Sequence, residues 1–341
     1  MNFDYLIIGA GTAGCVLANR LSENPQNSVA IFEAGGNSDI WKVNMPLALL
    51  YTMHDPKYNF KYYSEPEPHL NNRRLFCPRG KMIGGCSAHN GMVYVRGNKQ
   101  DYRRWASFGL RDWNYEKVLP YFKKIETWSG GENEFRGGDG ILPINQSQNN
   151  NPLFKAFLAS AKEAGHKINK DMNGEDQEGF GMYDVTIHKG ERASASKYYL
   201  NPVRKKSNLK VFTKSFVEKI IFDRTKAIGI QVNINGKINK IYANKEIILS
   251  AGSIGTPQIL QTSGIGDGKK LTNLGIEIIK DSIGVGKNLQ DHIMFRPVYK
   301  IKKIKSLNKK INSLFGNLLI GLEFIFNRSG PMTMGASQLC L

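Results

Sequence analysis

The sequence predicts an α/β chain of two domains. Three observations carry that prediction. An apolar strand at residues 5–8 runs into glycines at 9, 11 and 14 and then into a helical pattern. Residues 209–249 alternate as short strands, and a second strand–turn–helix pattern follows over 249–266. With 341 residues the chain has about two domains' worth of length. Hydrophobic residues make up 41% and charged residues 22%, so it can bury a sizeable core, which excludes a disordered or low-complexity protein.

Residues 4–35 read as strand, glycine turn, helix, strand. The strand Tyr5-Leu6-Ile7-Ile8 feeds GAGTAG, the helix runs from Ala13 to Leu21, and the strand Val29–Phe32 ends at Glu33. Gly9 allows the tight turn, Gly11 lets the backbone approach a pyrophosphate, and Gly14 lets the helix pack on the strand. The helix N-terminus offers free N–H groups to phosphates. Glu33, about 20 residues on, can accept hydrogen bonds from an adenosine ribose. Together these parts make a Rossmann-type dinucleotide unit. The motif alone does not separate FAD from NAD, but the continuation Glu33-Ala34-Gly35-Gly36 tilts toward flavin.

Residues 45–130 are rich in aromatics, prolines and glycines, a composition suited to wrapping a ligand or a domain boundary. Within them lies PRGKMIGGCSAHNGMVYVRG, Pro78 to Gly97. Gly84 and Gly85 remove side chains where a flat ring could lie against backbone. Asn90 and the N–H groups beyond it can hydrogen-bond a ring edge. No lysine followed by Ser or Thr comes after the glycines, as a phosphate loop would need. A purely structural glycine-rich loop has the same spacing. Asn149 to Asn151 is a polar break before a helical stretch, Pro152 to Gly165.

Further on, LKVFTKSFVEKIIF, AIGIQVNI and KIYANKEIILSAG read as strands, with Glu246 to Ser250 as a buried one. LSAGSIGTPQILQTSGIG places Thr256 as N-cap, Pro257 at the first helical position and Gly264 just past the helix end. That helix start could face the same cofactor, or be a well-capped structural connection. The glycines and polar tail of GVGKNLQDH, Gly284 to His292, predict backbone close to a ligand. From Arg296 on, apolar residues at Ile301, Ile304, Ile311, Leu314, Leu318 and Leu322 predict an amphipathic helix with a lysine-rich face.

The net charge is 47 − 29 = +18. Lysine and arginine are spread along the chain, no nucleic-acid module is present, and aromatics do not interleave with basic runs. The charge therefore reads as solvated surface, with no nucleic-acid partner. The four cysteines, Cys15, Cys77, Cys86 and Cys340, include no CxxC pair. That argues against a disulfide scaffold or a zinc site and for a reducing compartment. The N-terminus lacks the basic and apolar regions of a signal peptide. No apolar stretch reaches the ~18 residues that span a bilayer. The nearest, Leu314 to Phe326, carries Asn317 and Glu323. A cytoplasmic chain is expected. The lysine-rich helix near Lys300 to Lys310 reads as a solvated face, with the alternative of a peripheral contact with an anionic inner membrane surface.

Taken together, these segments resemble the glucose–methanol–choline (GMC) family of flavin alcohol oxidoreductases, collinearly from residue 1 to about residue 335. YNFKYYSEPEPHLNNRR, GGDG, NGEDQEGFG and GERASASKYYLNP extend the resemblance between the main motifs. YYSEPEPHLNNRR and residues 90–140 are most similar to the family's choline dehydrogenases. The resemblance implies FAD held by Gly9, Gly11, Thr12, Ala13, Gly14 and Glu33, with Met82, Gly85, His89, Asn90, Gly91, Met92, Val93 and Val217 around it. Some relatives attach flavin covalently through a histidine just before this asparagine, so His89 is either such an anchor or a histidine packed near the ring. The implied domains are a discontinuous FAD-binding domain, 1–150 and 195–295, and an incomplete α+β substrate domain, 151–194 and 296–341.

The implied reaction oxidises choline or a related primary alcohol to the aldehyde. A base takes the hydroxyl proton and the carbinol carbon gives hydride to flavin N5, with a quinone pool or oxygen as electron acceptor. No metal is expected. Family members are longer and carry a catalytic histidine in their C-terminal part. None of His54, His69, His166, His188 or His292 matches it, so the catalytic residue is expected beyond Leu341, and His292 is assigned to supporting the cofactor region. The alternative reading is a non-catalytic, truncated flavin-binding fragment.

Overall fold

The computed structural model describes residues 1–147, 151–292, 294, 298–302 and 306–340, with the backbone alone at 309 and 310. By compactness the chain divides into two units. One is Met1–Ile40, Tyr51–His89 and Ser194–Pro297; the other is Trp41–Leu50, Asn90–Ala193 and Val298–Leu341. Compactness thus groups 90–147 with the segment after it, whereas the sequence expectation places the boundary at 150.

The first unit is built on a six-stranded sheet. Its strands are β1 (Asn2–Ile8), β2 (Val29–Phe32), β3 (Leu209–Phe212), β4 (Ser215–Asp223), β5 (Lys226–Ile234) and β6 (Lys237–Leu249), in the order β3-β2-β1-β6-β5-β4. β1 pairs in parallel with β2 and β6, and β2 with β3; the β4–β5 and β5–β6 pairs are antiparallel. Leu6, sealed from solvent, pairs with Ala30 on one side and Ile247 on the other. A central parallel strand is covered on both faces, which is why Leu6-Ile7-Ile8 is a continuous apolar run rather than an alternating one. Phe3, Phe32, Val217, Ile220, Ile230 and Ile241 share one core, to which Phe212 adds a ring stacked on Phe32 at 4.9 Å. Helix α1 (Thr12–Leu21) follows β1, and helix α2 (Gly252–Thr262) follows β6.

Two sequence expectations in this unit are corrected. α2 starts at Gly252, not after Thr256, and Pro257 lies inside it. The chain turns into the helix directly at the strand end, where Gly252 has φ +82°, a conformation open to glycine. Pro257 then offers no N–H to the carbonyl of Ser253. Gly264, φ +86°, does follow the helix end. The expected buried strand at 246–250 is half-buried, with Glu246 exposed. Ile247 and Leu249 pack on the core, but their alternating neighbours face away from it.

The second unit holds a four-stranded sheet in the order 93–94, 184–185, 142–146, 126–128. Its helices Lys99–Ser107, Tyr115–Ile125 and Pro152–Glu163 are capped by the side chains of Asn98, Asn114 and Asn151, each accepting a backbone N–H of the first turn. Under the sheet lies a buried ionic cluster. Arg136, fully buried, donates to Glu126 (2.8 Å), Asp171 (2.6 Å) and Asp184 (2.8 Å), and its guanidinium lies 4.2 Å from the Trp128 ring centroid. Arg96 donates to Glu126 at 2.8 Å. Burial alone would lower the pKa of Arg136, but Glu126, Asp184 and Asp171 hold it above the usual arginine value.

The expected lysine-rich helix is also corrected. Residues 298–302 are not helical; helices span Leu307–Ile311 and Leu314–Asn327. Ile304 lies outside the described residues. The break falls at Ser313, which is extended and caps the second helix by accepting the Gly316 N–H. Lys300 and Lys302 therefore share no helix face with Leu318 and Leu322. Among the described residues no helix is long and apolar enough to cross a membrane.

Candidate functional site

The site grows from the turn between β1 and α1. Gly9 has φ +96°, and its N–H donates to Phe32 O at 2.8 Å. Ser250, at the end of β6, donates its hydroxyl to Gly9 O at 2.7 Å. A Cβ on Gly9 would lie 2.6 Å from Ser250 O, and one on Gly14 only 2.0 Å from Gly9 O. Both glycines are therefore fixed by protein packing. Gly11 is not. Its φ is −72°, and the nearest atom to an added Cβ is Ser250 O at 3.8 Å, an ordinary contact. The space a side chain would fill there belongs to a cavity.

That cavity has a volume of about 440 Å³ and is lined by Gly9, Gly11, Thr12, Ala13, Glu33, Gly85 and Val217, together with the first turn of α2. Its size is in the range of small-molecule sites. Phe60 and Tyr62, whose rings stack 5.4 Å apart, and Arg79 also line it. Gly11, the N-cap of α1, has no side chain with which to cap the first N–H groups of the helix, so they are available to a ligand. Glu33 is 5% exposed. Its Oε2 accepts from Ala10 N–H (3.1 Å) and its Oε1 from Gly35 N–H (2.8 Å). Burial pushes its pKa up to about 7 against the two backbone hydrogen bonds that lower it. Each carboxylate oxygen keeps a lone pair for a further donor.

Of the residues expected from sequence, seven line the cavity. Gly14, Met82 and His89 are buried in the same unit but do not line it. The His89 N–H donates to Cys86 O at 3.1 Å. Asn90, Gly91, Met92 and Val93 belong to the second unit. There Arg192, 1% exposed, donates through Nη1 to both Asn90 O (2.8 Å) and Asn90 Oδ1 (2.9 Å), and through Nε to Val43 O (3.0 Å). Burial lowers the Arg192 pKa to about 10. Met92 N–H donates to the same Oδ1 at 3.1 Å, so the amide of Asn90 is oriented from two directions. His292 is exposed, and its N–H donates to Asp291 at 2.8 Å. Arg192, Arg79, Phe60 and Tyr62 were not singled out from sequence. Arg192 does lie in GERASASKYYLNP, where an arginine among small residues and serines is a signal of burial with polar partners.

The residues present fit a dinucleotide: a carboxylate for a ribose, free helix N–H groups for phosphates, and an open side at Gly11 for close approach. Comparison with known proteins agrees. Residues 3–294 match the GMC oxidoreductase family. The oxygen-dependent choline dehydrogenase of Vibrio vulnificus (strain YJ016) is 44% identical over 333 residues, 96% of this chain and 59% of that protein. The mitochondrial choline dehydrogenase of Homo sapiens is 41% identical over 342 residues, 96% of this chain and 56% of that protein. Among solved structures, a formate oxidase of Aspergillus oryzae, described in work on FAD modification, superposes with a TM-score of 0.89 at 27% identity, covering 99% of this chain and 61% of that one. The pyridoxine 4-oxidase of Mesorbium loti does so with a TM-score of 0.78 at 30% identity, covering 82% and 55%. The chain belongs to the GMC oxidoreductase family. It spans 59% and 56% of the two choline dehydrogenases just named.

Proposed function

We propose that this chain binds FAD and forms the cofactor-holding part of an enzyme that oxidises choline or a related primary alcohol to the aldehyde. The observation that carries the reading is the cavity at Gly11, open to a ligand on the side where glycine has no packing reason to be, with the Glu33 carboxylate at its edge. Bound FAD would supply the hydride acceptor. Glu33 would hold the adenosine ribose, Thr12 and Ala13 N–H groups the pyrophosphate, and Gly85 the ring side. Asn90, Gly91, Met92 and Val93 are proposed as ring-edge contacts, and His89 as either an anchor or a packing residue. Covering 59% of the V. vulnificus relative, the chain is assigned cofactor binding; alcohol oxidation is assigned to the whole protein. Oxygen, named for the bacterial relatives, is the proposed electron acceptor, with a quinone pool as the alternative.

The test is the visible spectrum of the purified protein before and after acid precipitation. The reading predicts flavin absorbance. Colour retained in the acid pellet assigns His89 as the anchor, and colour released assigns it to packing. A folded chain that stays colourless in excess FAD contradicts the reading. Oxygen uptake against dye reduction, with choline supplied to the whole protein, separates the two acceptors.

A further inference from the structure

Residues 194–200 play no part in the reading above, yet they touch the nucleotide unit twice. Ser196–Leu200 is a π-helix, a rare form found mostly as single turns and frequently at functional sites. Asn201 N–H donates to Ser196 O across it. At its far end Tyr199 O accepts from Asn19 Nδ2 of α1 at 2.8 Å. At its near end Ser196, 2% exposed, has its Oγ 2.9 Å from Ser38 Oγ and 2.8 Å from Ser194 Oγ, a cluster of three buried hydroxyls.

That cluster bears on the glycine turn. Gly84 has φ +89°, and a Cβ there would lie 2.8 Å from Ser196 Oγ, so the hydroxyl is packed directly on the turn. Ala195 N–H donates to Ser87 Oγ (3.0 Å), and Ser87 Oγ donates to Gly84 O (2.6 Å). On the opposite side Gly84 N–H donates to Ala10 O at 2.6 Å, inside the β1–α1 turn. Gly85 follows with φ +51°, and a Cβ there would lie 2.8 Å from Gly11 Cα. The turn 84–87 is thus held between the serine cluster and Ala10, and it delivers Gly85 and Cys86 to the cavity wall beside Gly11.

We propose that Ser196 is a positioning residue for the ring side of bound FAD, acting through the Gly84 turn on the wall formed by Gly85 and Cys86. The inference rests on the FAD reading. The ribose side meets the turn only through the backbone of Ala10, whose carbonyl accepts from Gly84 N–H and whose N–H donates to Glu33, while Gly35 N–H holds the other carboxylate oxygen. A loosened turn therefore affects the two ends of the cofactor unequally.

The experiment titrates the full chain with FAD and, separately, with ADP, for wild type, Ser196→Ala and Ser87→Ala. Each variant removes a hydroxyl that makes two hydrogen bonds, and should weaken FAD by about tenfold. ADP affinity should change by less than about twofold. A general loss of structure would weaken both probes together, so a parallel fall overturns the proposal, as does unchanged FAD affinity in both variants. Ser87, half-buried, carries the same test should Ser196→Ala fold poorly. A wild-type chain that binds ADP but no FAD contradicts the cofactor reading itself, and this inference with it.

Discussion

At the residue scale, Gly11, Gly14 and Glu33 separate what the fold needs from what a ligand needs. Gly14→Ala would place a Cβ 2.0 Å from Gly9 O, so the turn must shift and the protein should unfold at lower temperature. Gly11→Ala meets only an ordinary contact at 3.8 Å, so it should melt like wild type yet lose FAD affinity. Differential scanning calorimetry beside an FAD titration checks the pair. Glu33 adds a pH dependence. Its folded pKa, about 7, lies above the ordinary 4.5. The stability associated with the protonated carboxyl is therefore full below about 4.5 and is lost as pH rises through about 7. FAD-free Glu33→Gln should melt above wild type at about pH 8 and close to it at about pH 5, while binding FAD more weakly at both. A variant that melts below wild type at about pH 8 would show that the ionised carboxylate is stabilising where it sits.

At the element scale, the sequence was informative where one rule acted alone. The β1–α1–β2 run, the strands after 209 and the helix from Pro152 are set by local pattern and by caps such as Asn151. It misled where two rules competed. Pro257 looks like a helix start, but the turn at Gly252 begins the helix earlier and leaves the proline inside it. The periodic apolar residues after Ile301 look like one helix, but Ser313 caps a new one at Leu314. Seven of the expected residues line the cavity: Gly9, Gly11, Gly85 and Glu33 are read from the chemistry of a nucleotide or a flat ring, and Thr12, Ala13 and Val217 come only with the family resemblance. Arg79, Phe60, Tyr62 and Ser196 were not legible, since their roles depend on contacts that the tertiary fold alone brings together. The ionic cluster around Arg136 is of that kind. Arg136→Met would leave buried Asp184 and half-buried Asp171 without their arginine, and buried Glu126 with Arg96 alone, and should cost about 3–5 kcal/mol in urea unfolding. A loss under about 1 kcal/mol would mean that water or protonation relieves the carboxylates.

At the scale of the whole molecule, the most exposed apolar helix lies in the second unit and the cavity in the first. Helix Leu314–Asn327 exposes Leu314, Phe315, Leu318, Ile325 and Phe326, at 58–92% of their areas. Contiguous apolar surface of this kind drives association. Leu318→Lys with Leu322→Lys should reduce light scattering at high concentration and leave FAD affinity unchanged. Scattering that is unaltered would contradict association through this helix. None of the residues proposed to hold the cofactor is a lysine or an arginine, so the charge of +18 is not accounted for by cofactor binding.

The most direct test of the central claim is an equilibrium titration of the purified, flavin-stripped chain with FAD, run beside Gly11→Ala. The account predicts saturable uptake of about one FAD per chain, weakened by at least about tenfold in a Gly11→Ala protein that melts like wild type. Equal uptake by both proteins, or none by a folded wild type, would contradict it.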